Sequence, residues 1–492
     1  MTDPATETML REALLLDRQG RLPEAIAAYQ RVLARWPALC DCWYSLALLQ
    51  RKARQFSASL ASYQQALDRG VRKPEEVHLN RGVIYADYLR QDEAAERELR
   101  AALALNPAYV PALLNLANLH EDLGRREQAL AAYEGILALE PRCLEALARY
   151  ANLKTFSGVD DPLIARLQQA IAAPGSGAAE RASLGFALGR ALDACGAFAA
   201  AFAAYSAANR DSRSSTAAGV LYDRSLEEGV VDRLIAAFPG RRTGLGPGLD
   251  TPSAAQPRPI FVCGMFRSGS TLVEQLLAGH SRVTAGGELD FLPHMAQQAL
   301  APFPESMASV SPLRLEMLAA RYLDMLGALF PGVEYVIDKR PDNFLYIGLI
   351  KQLFPDAKIV HTTRDALDNC LSIFFLHLDH RMSYALDLLD IGHHYRQYRR
   401  LMAHWKGLYG ADIFDLSYDA LVSEPKSVVE NLLGFLGLEW DEGCLTVPAS
   451  GRAVKTASVW QVREPLYQRS SGRARHYARE LDTLRRYLKQ GR

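Results

Sequence analysis

The feature that most constrains this chain is a residue pattern that recurs four times between residues 6 and 155. Each copy has a small residue and, four positions later, a tyrosine or a leucine: Ala25 and Tyr29, Ser59 and Tyr63, Ala95 and Leu99, Ala129 and Tyr133. The last two copies end at Pro107 and Pro141, which are 34 residues apart. Small residues let two helices approach closely, and a proline ends the second helix. The period therefore predicts an all-α stack of helix pairs.

Both the period and the residue types resemble those of the tetratricopeptide repeat (TPR) family over residues 6–155. The resemblance implies a solenoid whose concave face suits an extended peptide or a partner helix. A degenerate copy of the pattern, from Leu184 to Ala208, predicts that residues 156–242 form a capping helix pair and connecting helices. This segment is expected to begin with a helix at Asp161-Pro162, which is a typical helix start.

The composition limits the class of protein. Lys plus Arg equals Asp plus Glu at 56 each, so the formal net charge is zero, and we expect no non-specific binding of nucleic acid. Seven scattered cysteines without zinc-site spacing predict reduced thiols and a cytoplasmic location. The polar start of the chain and the absence of long apolar runs predict neither a secretory signal nor a transmembrane segment. The sequence gives no indication of the oligomeric state.

The character of the sequence changes after a Gly- and Pro-rich linker at residues 243–258. From residue 259 to 487, short apolar runs alternate with helical sequence, and the clearest runs are IFVCG, EYVID and KIVHTT. Strands that alternate with helices predict a mainly parallel sheet covered on both faces. The chain is therefore expected to be multidomain, with an all-α solenoid followed by an α/β domain.

The segment from Gly264 to Thr271 joins the first of these strands to a helix. Gly264 and Gly269 are spaced as in phosphate-binding loops (P-loops), where backbone N–H groups and the helix dipole attract an anion. Nucleotide hydrolases with such loops have a lysine directly before the final serine or threonine. Here Ser270 occupies that position, and the positive charge lies within the loop at Arg267. We therefore expect a P-loop-like domain that binds an anion without the hydrolase lysine.

Three further motifs carry charged residues. Glu288 follows two glycines, Lys339 ends a strand, and Arg364 ends another. Ser372 lies eight residues after Arg364, about two helical turns, so it can return to the side that faces Arg364. Ligands of parallel sheets bind at the carboxyl ends of the strands. These residues are therefore candidates for one site.

These charged residues could instead have a purely structural or a different catalytic role. Glu288 could be a surface carboxylate beside a flexible glycine turn. Lys339 could pair only with Asp338 or Asp342. Asp338 could hold magnesium in a nucleotide hydrolase, although such enzymes also need the missing loop lysine. Arg364 and Asp365 could form an ion pair at a helix start.

In this order, the loop and the three motifs resemble those of sulfotransferases that use 3'-phosphoadenosine 5'-phosphosulfate (PAPS) as donor, especially the tyrosylprotein sulfotransferase branch. The resemblance implies that Glu288 is the general base, that Arg267 balances charge on the sulfuryl oxygens and that Lys339 stabilises the leaving phosphate. It assigns the 3'-phosphate to Arg364 and Ser372. It assigns the 5'-phosphosulfate to the loop and the helix start: Arg267, Ser268, Gly269, Ser270, Thr271 and Leu272.

Later segments extend the resemblance. Tyr418 would lie near the nucleotide, and Ser458 and Arg463 would belong to a segment that closes over the 3'-phosphate. The tyrosylprotein branch has a lysine where Glu464 aligns, which leaves that contact open. Arg473 could add another basic group.

The resemblance implies a sulfotransferase that acts on an acceptor hydroxyl without a metal. No set of metal ligands is evident, because His377, His380, His393 and His394 lie on apolar helices and are expected to be ordinary imidazoles. The repeats favour a peptide or protein acceptor, including a tyrosine. A glycan, lipid or small-metabolite acceptor, a TPR scaffold with a non-catalytic nucleotide-binding domain, and a nucleotide hydrolase or kinase remain alternatives.

Overall fold

The computed structural model describes residues 4–217, 220–241, 256–378, 380–445 and 471–490. These residues form two compact units, of which the first extends to Lys154 and the second begins at Thr155. All seven cysteines lie in these ranges and are free thiols. Within the same ranges, no helix has the length and apolar character to cross a membrane, and no cluster of acidic, histidine and cysteine side chains is arranged to hold a metal ion.

The described part of the first unit is a succession of α-helices. Consecutive helices pack on each other: α1 (Pro4–Arg18), α2 (Leu22–Arg35), α3 (Cys40–Lys52), α4 (Phe56–Asp68), α5 (Pro74–Val83), α6 (Asp92–Leu105), α7 (Val110–Asp122), α8 (Arg126–Leu139) and α9 (Leu144–Leu153). Helix α5 continues as a π-helical turn over Ile84–Tyr88.

The small residues of the sequence repeat are fully buried between these helices: Ala25, Ser59, Ala95 and Ala129. The hydroxyl of Ser59 is satisfied because its Oγ donates to the carbonyl oxygen of Ala47 at 2.7 Å. Tyr63 and Tyr133 are equally buried beside them. The predicted all-α repeat array is confirmed.

The second unit begins with helices and continues with a sheet. The helices are α10 (Pro162–Ala172), α11 (Ala178–Ala194), α12 (Phe198–Ser215) and α13 (Arg224–Ala237). The elements that follow are β1 (Arg258–Gly264), α14 (Ser270–Leu277), β2 (Val283–Ala285), α15 (Phe291–His294), α16 (Pro312–Leu329), β3 (Tyr335–Lys339), α17 (Ile347–Leu353), β4 (Ile359–Thr363), α18 (Ala366–Phe374), α19 (Leu388–Tyr409), β5 (Ile413–Ser417), α20 (Tyr418–Ser423), α21 (Pro425–Leu436) and α22 (Asp482–Lys489).

The sheet of the described residues has five strands, which are all parallel and lie in the order β2-β3-β1-β4-β5. Strand β1 is central, and Phe261 is in register with Asp338 of β3 on one side and Ile359 of β4 on the other. The chain after β1 builds one side of the sheet first and then the other. The crevice at the carboxyl end of β1 is therefore the expected ligand site.

Apolar side chains cover both faces of the sheet. On one face, Val262 and Ile337 belong to a core with Val273 of α14 and Leu432 of α21. On the other face, Phe261 lies against Phe354, with ring centroids 6.0 Å apart. The predicted parallel sheet with helices on both faces is confirmed, and the packing fixes the carboxyl ends of the strands as a rigid edge.

Helices α11 and α12 form a close pair in the segment predicted to cap the repeats. A Cβ atom at Gly189 would lie 2.8 Å from the ring of Tyr205. The Tyr205 ring also stacks on Phe375, directly after α18, with centroids 3.9 Å apart. This pair therefore supports the sheet domain through α18, and both helices belong to the second unit.

Substitution of Gly189 tests this packing. Gly189→Ala is expected to destabilise the second unit by about 1–3 kcal/mol, because the new methyl group overlaps a buried ring. Calorimetric unfolding measures the effect.

The matched control is Gly135→Ala in α8, where a Cβ would meet no atom within 4 Å. This change is expected to leave the stability unchanged or to raise it by about 1 kcal/mol through helix propensity. Equal effects of the two substitutions would contradict the packing described here.

Candidate functional site

The loop between β1 and α14 is held in an unusual backbone conformation. Gly264 has φ +154°, and a Cβ there would lie 2.4 Å from the carbonyl oxygen of Thr362. Gly269 has φ +105°, and its Cβ would lie 2.7 Å from the ring of Tyr418. Arg267 has φ +68°, which costs a residue with a side chain of the order of 1–3 kcal/mol. The loop is therefore strained at Arg267 and closely packed at both glycines.

The polar groups of Ser268 are used inside the domain. Its Oγ lies 2.6 Å from Thr362 Oγ1, and its backbone N–H donates to Met265. Ser270 and Thr271 begin α14 and are largely buried. The side chain of Leu272 packs against the core. The side chains of Ser268 and Leu272 are therefore used inside the domain. The predicted anion site at these residues depends mainly on the backbone N–H groups at the start of α14.

Three predicted site residues come together at this loop: Arg267, Arg364 and Ser372. The Nε of Arg267 donates to Ser372 Oγ at 3.2 Å, and an Nη of Arg364 donates to the carbonyl oxygen of Arg267 at 3.4 Å. The Arg364 guanidinium lies 4.9 Å from the centre of the Tyr418 ring. Residues from four separate segments thus converge on one side of the loop.

Helix α18 is tied to this arrangement by Asn369, which sequence reasoning did not single out, and it is capped by Asp365. The side-chain amide of Asn369 donates to the carbonyl oxygen of Phe266 at 3.0 Å. Asp365 caps α18 by accepting the N–H groups of Leu367 and Asp368 at 3.0 Å. Asp365, the possible ion-pair partner of Arg364, therefore has a structural role as the N-cap of α18.

Lys339 and Glu288 form an ion pair at the end of β3. The distance from Lys339 Nζ to Glu288 Oε1 is 2.7 Å. The Lys339 side chain is 1% exposed, whereas that of Glu288 is 44% exposed. The pair therefore has a buried cationic end and a carboxylate that solutes can reach.

The alternative partners of Lys339 have other contacts. Asp338 accepts hydrogen bonds from Tyr322 Oη at 2.7 Å and from Asn343 Nδ2 at 3.2 Å. Asp342 pairs with Arg340 at 3.0 Å. Burial raises the pKa of Asp338 to about 6. The fully buried Asp338 carboxyl is a structural acceptor, a geometry that does not suit a magnesium ligand.

The position of Glu288 follows from a glycine turn that runs beside β3. The N–H of Gly286 donates to Ile337, and the N–H of Lys339 donates to Gly287, at 3.0 and 3.1 Å. A Cβ at Gly286 would lie 2.5 Å from the carbonyl oxygen of Ile337. Only glycine fits there, so the turn continues the ladder of the sheet and delivers Glu288 to Lys339.

A further acidic residue, Glu274 of α14, was missed by sequence reasoning. Its Oε1 accepts the N–H of Gly287 at 2.8 Å, and its Oε2 lies 3.8 Å from Lys339 Nζ. Burial raises the pKa of Glu274 to about 7, although the Lys339 ammonium acts in the opposite direction. The available signal was a glutamate inside the apolar run that follows the loop.

A cavity of about 510 Å³ adjoins the loop on the Arg364 side, a size typical of small-molecule pockets. Its lining includes Met265 and Ser268 of the loop, the ends of β4 and β5, and one face of α19 with Arg399 and Lys406. The pocket therefore combines cationic side chains with the strand ends.

Buried His361 forms part of the wall of this cavity. Its Nδ1 lies 2.6 Å from Asp415 Oδ1, and its Nε2 contacts the Tyr398 hydroxyl. Burial lowers the pKa of His361. Burial also opposes ionisation of Asp415, but hydrogen bonds from His361 and Lys406 hold its pKa at about 2. This network links β4, β5 and α19 and supports the strand ends.

Of the three candidates nearest the carboxyl terminus, only Arg473 lies in the part of the chain that the structure describes. Ser458 and Arg463 lie outside the described residues. Arg473 donates to Asp193 of α11 and lies 5.2 Å from the centre of the Phe375 ring. The Arg473 guanidinium therefore forms an ion pair with α11 of the α11–α12 pair.

Substitution of Lys339 tests the electrostatics of this site. In Lys339→Met, the ionised Glu274 would be buried without its cation, which costs about 3–5 kcal/mol at pH 8. In wild type, where Lys339 opposes the effect of burial, the pKa of Glu274 is about 7, so the carboxylate that pairs with Lys339 is ionised above about pH 7 and is protonated, with no need of the cation, below it. The loss of stability in urea unfolding is therefore expected to be smaller at pH 6 than at pH 8.

The double variant Lys339→Met with Glu274→Gln is the control, and it is expected to recover most of the stability at pH 8. A loss that is independent of pH and that the second substitution does not recover would contradict the buried pairing of Glu274 with Lys339.

Family comparisons match both parts of the chain. Residues 259–442 match the model of the sulfotransferase family. Residues 8–39, 44–110 and 112–147 match models of the tetratricopeptide repeat.

Two curated relatives are similar to different lengths of the chain. An uncharacterized protein of Aquifex aeolicus (strain VF5) is 32% identical over 425 residues, which are 84% of this chain and 53% of the relative. Protein-tyrosine sulfotransferase 1 of Danio rerio is 25% identical over 204 residues, which are 38% of this chain and 55% of that protein. The chain spans about half the length of these relatives.

Solved structures give weaker similarities. The sulfotransferase domain of the Synechococcus PCC 7002 olefin synthase is 20% identical, with a TM-score of 0.35. The match covers 49% of this chain and 96% of the residues of that domain structure. The type IV pilus biogenesis factor PilW is 20% identical with a TM-score of 0.32 and covers 42% of this chain and 92% of its own.

Proposed function

Because the chain carries N-terminal tetratricopeptide repeats and a C-terminal domain of the sulfotransferase family, we propose that it transfers a sulfuryl group from PAPS to an acceptor hydroxyl. The observation that carries this proposal is the convergence of Arg267, Lys339 and Arg364 at the ends of three neighbouring strands, with Glu288 paired to Lys339. Arg267 lies in a loop suited to an anion, and Lys339 and Arg364 lie at the ends of the strands on either side of β1.

Glu288, Arg267 and Lys339 have separate roles in the proposed in-line transfer. Glu288 accepts the proton of the acceptor hydroxyl as the new oxygen–sulfur bond forms. Arg267, whose Nε donates to Ser372 Oγ in the structure, would turn toward the sulfuryl oxygens and balance their charge. Lys339 and the N–H groups at the start of α14 receive the negative charge on the 5'-phosphate as its bond to sulfur breaks. The products are the sulfated acceptor and 3',5'-adenosine bisphosphate.

The ion pair between Lys339 and Glu288 bears on this sequence of events. In the structure, each of these side chains neutralises the charge of the other at 2.7 Å. Lys339 must turn from Glu288 toward the donor before it can stabilise the leaving phosphate. Donor binding would then release the half-exposed Glu288 carboxylate for the acceptor.

The donor is held at its other end by Arg364 and Ser372, which bind the 3'-phosphate. Support comes from the contacts that already link Arg364, Arg267 and Ser372. The neighbouring cavity of about 510 Å³ offers room for the nucleoside, and Arg364, which lines it, lies 4.9 Å from the centre of the Tyr418 ring. Ser458 and Arg463 are kept as candidates for the same phosphate.

The proposed acceptor is a hydroxyl of a peptide or protein, including tyrosine. The support is the repeat array, whose family binds extended peptides and helices, and the similarity to Protein-tyrosine sulfotransferase 1 of Danio rerio. The exposed Glu288 carboxylate is accessible to a side-chain hydroxyl. A glycan, a lipid or a small metabolite is an alternative acceptor. We propose a cytoplasmic location, supported by the scattered cysteines.

Calorimetry with 3',5'-adenosine bisphosphate tests the donor class. Wild type is expected to bind the bisphosphate more tightly than magnesium-ATP, and Arg364→Ala is expected to weaken binding tenfold or more through loss of a charged phosphate contact. The matched control is Arg282→Ala, which removes an exposed pair with Glu334 and should leave binding unchanged. Preference for magnesium-ATP would favour the hydrolase or kinase alternative.

Substitution of Glu288 tests the base. Glu288→Gln keeps an oxygen that can accept from Lys339 but cannot take the proton, so turnover is expected to fall about 10²–10⁴-fold. Bisphosphate affinity should stay within about twofold. Release of 3',5'-adenosine bisphosphate from PAPS measures turnover, and near-normal release by the variant would make the base assignment wrong. A wild-type protein that binds the bisphosphate without releasing it from PAPS would favour the non-catalytic scaffold.

A further inference from the structure

Glu274 is a buried carboxylate to which the reaction scheme above gives no role. It lies in the first turns of α14, four residues after Ser270, and is 4% exposed. A buried acidic residue is costly unless its contacts compensate. Its polar contacts are with the turn that carries Glu288 and with Lys339.

The two oxygens of Glu274 contact different elements. Oε1 accepts the N–H of Gly287 at 2.8 Å, in the turn that carries Glu288. Oε2 lies 3.8 Å from Nζ of Lys339 on β3. Because α14 also begins at the anion-binding loop, one side chain links the loop helix, the Glu288 turn and the Lys339 strand.

We propose that Glu274 is a positioning residue of the transfer reaction, which keeps the Lys339 ammonium and the Glu288 carboxylate in register with the loop. This inference rests on the proposed function. Glu274 does not reach the substrate in this scheme, and it acts only through Gly287 and Lys339.

The charge of Glu274 matters as much as its hydrogen bond. Lys339 lies between two carboxylates, at 2.7 Å from Glu288 and 3.8 Å from Glu274. When Lys339 turns from Glu288 toward the donor, Glu288 no longer balances the ammonium. Glu274 then remains as the buried anion beside Lys339 and holds it at the end of β3, where negative charge develops on the leaving phosphate.

The titration of Glu274 should appear in the dependence of turnover on pH. A residue that acts only through packing would not produce this dependence. The charged groups that face it are Lys339, Glu288 and Asp338. Burial, together with the two carboxylates, raises its pKa to about 7 against the effect of Lys339 and of the Gly287 N–H. The ionised form that positions Lys339 is therefore lost as the pH falls through about 7.

The experiment compares wild type, Glu274→Gln and the matched control Glu334→Gln, whose carboxylate forms an exposed pair with Arg282. Thermal unfolding, calorimetric binding of 3',5'-adenosine bisphosphate, and release of the bisphosphate from PAPS are measured between pH 5.5 and 8.5. Water and 2-naphthol serve as acceptors. Glu274→Asp, which keeps the charge on a shorter side chain, is included as a second variant.

Glu274→Gln keeps an oxygen for Gly287, so we expect it to fold and to bind the bisphosphate within about threefold of wild type. Its turnover should fall tenfold or more at pH 8. The wild-type profile should rise with an inflection near pH 7 that Glu274→Gln lacks, and Glu274→Asp should keep that inflection at reduced turnover. Glu334→Gln should match wild type.

Two results would overturn the inference while leaving the proposed function standing. One is wild-type turnover and an unchanged pH profile in Glu274→Gln. The other is failure of Glu274→Gln to fold, which would assign the carboxylate to the fold alone. By contrast, a wild type that neither binds the bisphosphate nor releases it from PAPS contradicts the proposed function itself.

Discussion

A buried lysine ammonium is the interaction on which the candidate site depends. Lys339 is 1% exposed, and an ammonium can be buried at this depth only with anionic partners. Its partners come from elsewhere in the chain: Glu274 from the helix after the loop and Glu288 from the turn after β2. The need to neutralise Lys339 therefore holds α14, β3 and the glycine turn in one arrangement.

The backbone around Lys339 makes that arrangement specific. Gly286 must lack a side chain because Ile337 is too close, and Glu274 accepts the next N–H in the turn. On the other side of β1, Gly264 and Gly269 are fixed by Thr362 and Tyr418. The loop is thus held between β3 and β4, and the strained φ of Arg267 is maintained by the packing around it.

The sequence predicted much of this fold because its signals are local. The 34-residue period, the apolar runs of the strands and the loop between Gly264 and Gly269 each lie within a short window. Strand ends in a parallel sheet share one edge, so the proximity of Lys339, Arg364 and the loop could be anticipated.

What the sequence did not predict depends on contacts between distant segments. The structural alternative pairs Lys339 with its sequence neighbours Asp338 or Asp342, whereas the turn that continues the β2–β3 pairing brings Glu288 to it and α14 brings Glu274. Ser268 was assigned to the donor by resemblance, but the β1–β4 pairing gives its hydroxyl to Thr362. The use of the α11–α12 pair as support for α18 also required packing that no local pattern encodes.

The central claim is that this edge of the sheet binds a nucleotide phosphorylated at both the 3' and 5' positions. A crystal structure of the wild-type protein with 3',5'-adenosine bisphosphate tests it most directly. We predict the 3'-phosphate within hydrogen-bond distance of Arg364 and Ser372, the 5'-phosphate at the start of α14, and Lys339 turned from Glu288 toward that phosphate. A bisphosphate bound in the reverse orientation, or away from the loop, would contradict the claim.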